Sequence, residues 1–569
     1  VKPTLTYQKL RGGYYTPQPI ADFLAAWTIQ GPQARVLEPS CGDGALLAAA
    51  ARRLLALGTS AAASNELLQG VEFDSAEAAL AAERLHAILA EAGDAGRDSY
   101  PSAIHVGDFF SYCKATMSGP QRFDAIIGNP PFIRYQNFPE EHRQIAFYLM
   151  QLAHLHPNRL TNAWAPFLVA ATHLLSPTGR VAMVIPAELL QVNYAAELRY
   201  FLSQHYHDIT LITFRKLVFE GIQQEVVLFL GERNGGAKTG VRTIELNGVA
   251  DLERLAPASF AQLPVKQMDH STEKWTMYFL DDDELALLRR LREHPRLTPA
   301  AHALDVDVGV VTGLNEFFVV SEEQAREWGL DRRYLRPLVG RSTYLEGLIF
   351  IDEDWRRMAE KQAPSLLLAL PDAPLASLPM AEQAYIAYGE RQGWHTGYKC
   401  RIRKRWYVTP SAWAPQAFLL RQIHTYPRLI VNEAGAVSTD TIHRVRMRQG
   451  AKPRVVAAAF LNALTFAFSE VIGRSYGGGL LELEPNEAER LPLPLIGAET
   501  LDADHLDALL RAGDIASILD ITDRALLQEG LGLSGAETRM LRRIWEKLRD
   551  RRINRKPEAK SARKAAVLV

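Results

Sequence analysis

The sequence is poor in cysteine, in long apolar runs and in net charge. Only three cysteines occur in 569 residues, at Cys41, Cys113 and Cys400. Their wide spacing excludes a disulfide framework and a zinc-type Cys pair, and it points to a reducing compartment. The longest nearly unbroken apolar run, VVAAAFLNALTFAF (455–468), is too short to cross a bilayer. The opening VKPTLTYQKLRGG has no apolar core of the signal-peptide kind, so a cytoplasmic location and no membrane partner are expected. The net charge of -1 leaves the question of a polyanionic partner to local charge distribution. No Walker A lysine loop occurs, which argues against a translocating motor. No convincing PD-(D/E)xK arrangement occurs either; the Glu558–Lys560 pair sits in a polar tail rather than on an apolar strand.

What is present is ordinary in composition, 47% hydrophobic and 23% charged, in a chain long enough for several domains. From about 34 to 230, short apolar runs alternate with Ala-rich or amphipathic segments: RVLEPS, ALLAAAARRLLAL, LQGVEF, AEAALAAERLHAILAEA, SAIHVGDFF, FDAIIGNPP, FLVAATHLLS, RVAMVIP, LRYFLSQHY, ITLITF and EVVLFLG. Strand and helix periods alternating in this way predict an α/β fold built on a doubly wound, Rossmann-like sheet. The pattern lapses near ERNGGAKTG (232–240), which reads as a turn or linker. The expected organisation is a catalytic domain over 1–250, a mixed α+β domain over 251–500 with a hairpin at 306–320, and a helical segment over 501–569 ending in a basic tail. From 541 to 569 that segment holds 11 Lys/Arg and 3 Asp/Glu.

Three strand ends carry chemistry. VLEPSCGDGALL (36–47) is a strand, a glycine turn and a helix start, where bare backbone lets a ligand approach closely. The next strands end on Glu72 and Asp108, and in an open parallel sheet the strand carboxyl ends form the ligand crevice, with an acid on the second strand placed for ribose hydroxyls. The glycine order is GxG, not GxGxxG, which favours a ligand without pyrophosphate, and S-adenosylmethionine meets that description. The fourth strand delivers Asn129-Pro130-Pro131-Phe132 to the same crevice. An amine on an aromatic base is a poor nucleophile because its lone pair is delocalised into the ring. Two acceptors, the Asn129 side-chain oxygen and the Pro130 carbonyl, would draw that nitrogen toward tetrahedral geometry, and the prolines hold the carbonyl fixed with no competing donor beside it. Phe132 can stack on the base.

These ordered motifs resemble the gamma-class N6-adenine DNA methyltransferases of TaqI type, in which a target-recognition domain follows the catalytic domain. The resemblance covers about 11 to 231. GGYYTPQPIADFL implies that Thr16 helps to bind the cofactor. EPSCGDG implies contacts from Glu38, Ser40 and Gly42 to the methionine end of S-adenosylmethionine. VEFD implies Glu72 on the ribose with Phe73 beside the cofactor adenine, and GDFF implies Asp108 on the amine of that adenine with Phe109 next to it. NPPF is the catalytic motif, with Phe where the type member has Tyr. FRKLVFEGIQQEVVLFL (214–230) implies that Phe219 packs on the opposite face of the target base.

The implied partner is double-stranded DNA. An adenine amine inside a duplex cannot reach a crevice, so the base must be swung out, at a cost of a few kcal/mol, and held between aromatics. Residues 391–460 hold 13 Lys/Arg against 2 Asp/Glu, interleaved with aromatics, and Arg401, Arg403, Lys404 and Arg405 are the expected DNA contacts. A solvated face whose acidic partners lie elsewhere reads the same stretch equally well. The absence of a Pro-Cys pair separates the chain from cytosine-C5 enzymes. N4-cytosine, RNA-base and protein-glutamine methylation stand as alternatives, as does a non-catalytic DNA-binding subunit. The expected role is the modification component of a restriction–modification system, acting as a monomer, with any endonuclease on a separate polypeptide.

Overall fold

The computed structural model describes residues 15–93, 101–120, 122–133, 137–159, 161–219, 225–233, 240–256, 260, 262–268, 273–361, 363–476 and 479–554. These fall into two compact units, divided between Asp282 and Asp283.

In the first unit eight strands form one sheet: β1 (Val36–Glu38), β2 (Leu68–Glu72), β3 (Ile104–Val106), β4 (Phe123–Gly128), β5 (Leu175–Pro186), β6 (Asp208–Phe214), β7 (Val226–Glu232) and β8 (Gly240–Leu246). Their order is β3-β2-β1-β4-β5-β7-β6-β8. The five strands β3-β2-β1-β4-β5 run parallel, and β7 lies antiparallel between β5 and β6. All of β1 and the last four residues of β4 are buried, as parallel strands covered on both faces must be. The connecting helices include Ala45–Ala56, whose Ala and Leu side chains are strong helix formers and fill the layer against the sheet. Strand order reverses between β1 and β4, so these two strands part at their carboxyl ends and leave a crevice. The doubly wound fold expected from the alternation is the fold observed.

The boundary expected at 250 falls instead at 282. VRTIEL (241–246), which follows the expected linker, forms edge strand β8 with Gly240, paired parallel to β6 over its whole length. The turn Trp275–Phe279 anchors there, with Thr243 Oγ1 donating to the Tyr278 carbonyl at 2.8 Å. Residues 234–239 of the expected linker lie outside the described residues.

The second unit is mixed α+β. One five-stranded sheet runs in the order Leu304–Asp307, Ile442–Met447, Ala417–Leu420, Leu429–Asn432, Ile349–Phe350, and a second has Leu366–Leu368 and Leu335–Val339 at its centre. The hairpin expected at 306–320 is not formed. Leu304–Asp307 pairs with Ile442–Met447, whereas Val319–Val320 pairs with Leu366–Leu368 in the other sheet. Between the two strands Gly309 passes so close to Thr439 that a Cβ would lie 1.9 Å from its carbonyl oxygen, and Gly313 turns the chain at φ +81°. The helices expected after 501 belong to this unit, and Gly535–Ile553 packs on Ala463–Ile472 through the fully buried Arg552–Glu470 pair at 2.6 Å. Among the described residues no single helix is long and apolar enough to cross a membrane. The apolar pair Pro453–Phe460 and Ala463–Ile472 is bent by 75°.

Candidate active site

The carboxyl ends of β1, β2 and β4 converge on a cavity of about 370 Å³, lined by Glu38, Ser40, Gly42, Glu72, Phe73, Phe109, Thr16, Asn129 and Pro131 among others. The chain leaves β1 through Gly42 (φ +50°) and Gly44 (φ +77°), a left-handed path that side chains resist. Gly44 is also sterically required, because a Cβ there would sit 2.8 Å from Ala81 Cα on the helix Ser75–Ala92. The turn is strapped to β2 by Glu72, whose Oε2 accepts the Gly42 N–H and whose Oε1 accepts the Asp74 N–H, both at 2.9 Å.

The wall is acidic. Glu38 is 2% exposed, and its buried Oε2 has no hydrogen-bond partner among the described residues. Burial drives the Glu38 carboxyl well above the usual carboxylate range, and the neighbouring Asp43 and Glu72 push the same way. Asp43 is paired with Arg84 at 2.8 Å. Glu77 accepts the Tyr15 hydroxyl at 3.0 Å on Oε1, while its buried Oε2 has no hydrogen-bond partner among the described residues. A cavity lined by these carboxylates repels phosphate and suits a ligand carrying positive charge and hydroxyls. Burial raises the Cys41 thiol far above its ordinary range, so it holds no thiolate nucleophile.

At the β4 end, Asn129 Nδ2 donates to Thr16 Oγ1 at 3.2 Å, an orientation in which Oδ1 is the opposite end of the amide. The Ser40 hydroxyl reaches the Asn129 carbonyl at 3.5 Å. Pro130 is buried beneath. Phe132 is half-buried and packs on the apolar cluster that contains Phe219, itself 8% exposed, so the two rings expected to flank a base share one cluster.

The third strand end departs in detail from its expected role. Asp108 caps the helix Phe109–Thr116: its Oδ2 accepts both the N–H and the hydroxyl of Ser111 at 2.8 Å, and its Oδ1 lies 3.3 Å from His142 Nδ1. Its neighbours Gly107 and Phe109 line the cavity, and Phe109 stacks on Phe167 at 5.2 Å. Phe73 is 65% exposed and meets the His142 ring edge-on at 5.1 Å. Tyr15, Glu77, His142 and Phe167 were not singled out by the sequence. Tyr15 stands beside Thr16 within GGYYTPQPIADFL, and the other three arrive from helix faces, where no motif marks them.

In the second unit the four expected DNA contacts divide. Arg401 and Lys404 are exposed and have no ion pair among the described residues. Arg403 is spent inside the fold, donating through Nη2 to the Val311 carbonyl at 2.8 Å with its guanidinium over the Phe318 ring. Arg405 is paired with Asp372.

Comparison with known proteins accounts for both units. Residues 4–284 match the family N-6 DNA Methylase, and residues 272–527 match the C-terminal domain of the Type II methyltransferase M.Eco57I. The Type II methyltransferase M.AccI of Acinetobacter calcoaceticus is 21% identical over 516 residues, covering 88% of each chain. M.XamI of Xanthomonas campestris pv. amaranthicola is 25% identical over 510 residues, covering 85% of each. Among solved structures, the Type IIL restriction-modification enzyme MmeI in complex with DNA aligns with a TM-score of 0.56 at 12% identity, over 94% of this chain and 75% of that one, a likeness of fold. With the glycine turn, Glu38, Glu72 and Asn129 around one cavity, the chain is an adenine-specific DNA methyltransferase whose first unit belongs to the N-6 DNA methylase family.

Proposed function

We propose that this protein transfers the methyl group of S-adenosylmethionine to N6 of an adenine swung out of duplex DNA, as the modification component of a restriction–modification system. The observation that carries the reading is the position of Asn129: it follows directly on β4 at the switch point, is tied to Thr16, and lines the same cavity as Glu72 and Gly42.

The residues fit the cofactor. Glu38 and its acidic neighbours suit the cationic methionine end, Glu72 the ribose hydroxyls, and Phe73 and Phe109 the adenine, with Asp108 held beside them. S-adenosylmethionine supplies an electrophilic methyl group on a sulfonium. The chain's own work is done on the nucleophile. Asn129 Oδ1 and the Pro130 carbonyl accept the two hydrogens of the target amine and concentrate its lone pair on nitrogen. Thr16 holds the Asn129 side chain in place by accepting from Nδ2, the orientation that leaves Oδ1 as the acceptor. Pro130 and Pro131 fix the backbone direction. Phe132 and Phe219 offset the unstacking of the base, each such contact being worth about 1–3 kcal/mol. No protein nucleophile is required. The second unit reads the DNA, and the nuclease of such a system is assigned to a separate polypeptide.

Radiolabelled methyl transfer offered in parallel to duplex DNA, structured RNA and a protein lysate tests this reading. Label is expected in duplex DNA alone, and label in RNA or protein without DNA contradicts it.

A further inference from the structure

In the second unit, residues 398–407 divide sharply between side chains spent inside and side chains left outside. Inside, Cys400 is 1% exposed, Arg403 binds the Val311 carbonyl, Arg405 pairs with Asp372, Trp406 Nε1 donates to Glu390 Oε1 at 3.1 Å, and the Tyr407 hydroxyl donates to the Ala373 carbonyl at 2.8 Å. These anchors make the segment rigid. Outside stand Tyr398, 69% exposed, and Ile402, 64% exposed. The two are four residues apart on a helical turn, with the Ile402 N–H donating to the Tyr398 carbonyl at 3.2 Å, so they lie on one side. Between and beside them are Lys399, Arg401 and Lys404, all exposed and without an ion pair among the described residues. The loop beneath is shaped to seat this turn: a Cβ on Gly313 would lie 2.8 Å from Lys399 Cβ.

One exposed apolar side chain is unremarkable. An aromatic and a branched aliphatic side chain held together in water by an anchored turn, and ringed by three cations without an ion pair among the described residues, call for an occupant with two chemistries. A basic solvated face needs only the cations. Duplex DNA offers both, phosphates for the cations and sugar and base edges for the apolar pair.

We infer that Tyr398 and Ile402 form an apolar ridge that enters a groove of the duplex, while Lys399, Arg401 and Lys404 take phosphates on either side. The assignment rests on duplex DNA being the substrate. It moves the phosphate-contacting role from Arg403 and Arg405, which hold the turn in place, to Lys399 beside Arg401 and Lys404.

The two chemistries separate experimentally. Binding of a fluorescent duplex, cut from DNA that the wild-type protein methylates, is measured between 50 and 200 mM salt, a range chosen because about 0.9 counterion is released per phosphate neutralised. The triple variant Lys399→Ala, Arg401→Ala, Lys404→Ala is expected to flatten the slope of log affinity against log salt by about 0.9 for each cation. The variant Tyr398→Ala, Ile402→Ala is expected to keep the wild-type slope and lose about tenfold in affinity at every salt, within the range of base contacts. The conservative double variant Tyr398→Phe, Ile402→Leu keeps the wild-type affinity, which separates contact from misfolding. Wild-type affinity and slope in both multiple variants overturn the proposal, as does loss of binding to anionic phosphatidylserine vesicles with DNA binding intact. Failure of the wild-type protein to methylate any duplex removes the substrate assignment itself, a different result from unchanged binding by variants of an active enzyme.

Discussion

At the scale of single residues, the proposed chemistry turns on Asn129 and its hydrogen bond to Thr16. If Asn129 supplies an acceptor to the target amine, Asn129→Ala loses at least about 10²–10³ in kcat, the loss typical of one preorganised polar group, with cofactor affinity retained. Thr16→Val keeps shape and removes the Nδ2 partner, so kcat is expected to fall by up to about 10²-fold through misorientation. Stopped-flow turnover and equilibrium dialysis distinguish this from the cofactor-binding role implied by the sequence: a change in cofactor affinity alone assigns Thr16 to the cofactor, not to Asn129. Glu38 gives a pH prediction with a definite sign. Its folded-state carboxyl binds a proton more tightly than the ordinary carboxyl with pKa 4.5, because burial disfavours the charge. The folded state therefore holds more protons than the unfolded state above that value, and stability falls as pH rises from about 4.5 through the raised pKa. Glu38→Gln, which mimics the protonated form, lacks this fall, so its melting temperature gains on the wild type as pH increases. Parallel pH profiles for the two proteins contradict the assignment.

At the scale of elements, the glycine turn after β1 is the least tolerant part of the site. Gly44→Ala combines a left-handed backbone with a Cβ pressed on Ala81 Cα at 2.8 Å, so a loss of about 1–3 kcal/mol in chemical denaturation is expected, together with weaker cofactor binding. Wild-type stability in that variant would mean that the turn relaxes. The elements also explain what the sequence disclosed. Glu38, Glu72 and Asn129 were legible because each terminates or follows a buried apolar run, and strand ends in a parallel sheet converge by topology. Glu77 and His142 were not, because a helix face acquires its meaning only from what it packs against. The same limit applies to the basic stretch: composition counted its cations, yet Arg403 and Arg405 turn inward while Lys399, Arg401 and Lys404 turn out. β8 escaped notice because an edge strand carries a polar side and shows no unbroken apolar run.

At the scale of the whole molecule, the second unit is closed by its last described helix. Arg552 and Glu470 have side chains 3% exposed each, and Arg552 donates to Glu470 through both Nε and Nη2. Arg552→Met leaves a buried carboxylate without its counter-ion and is expected to cost about 3–5 kcal/mol, whereas adding Glu470→Leu recovers most of that loss. Calorimetry of the single and double variants checks the pairing; equal losses in both would contradict it.

The central claim is that Asn129 activates the N6 amine of adenine in DNA. The direct measurement incubates the protein with S-adenosylmethionine and duplex DNA, digests the DNA to nucleosides and identifies the methylated species by mass spectrometry. N6-methyldeoxyadenosine is expected from the wild type and none from Asn129→Ala. N4-methyldeoxycytidine as the product, or undiminished methyladenine from Asn129→Ala, would contradict it.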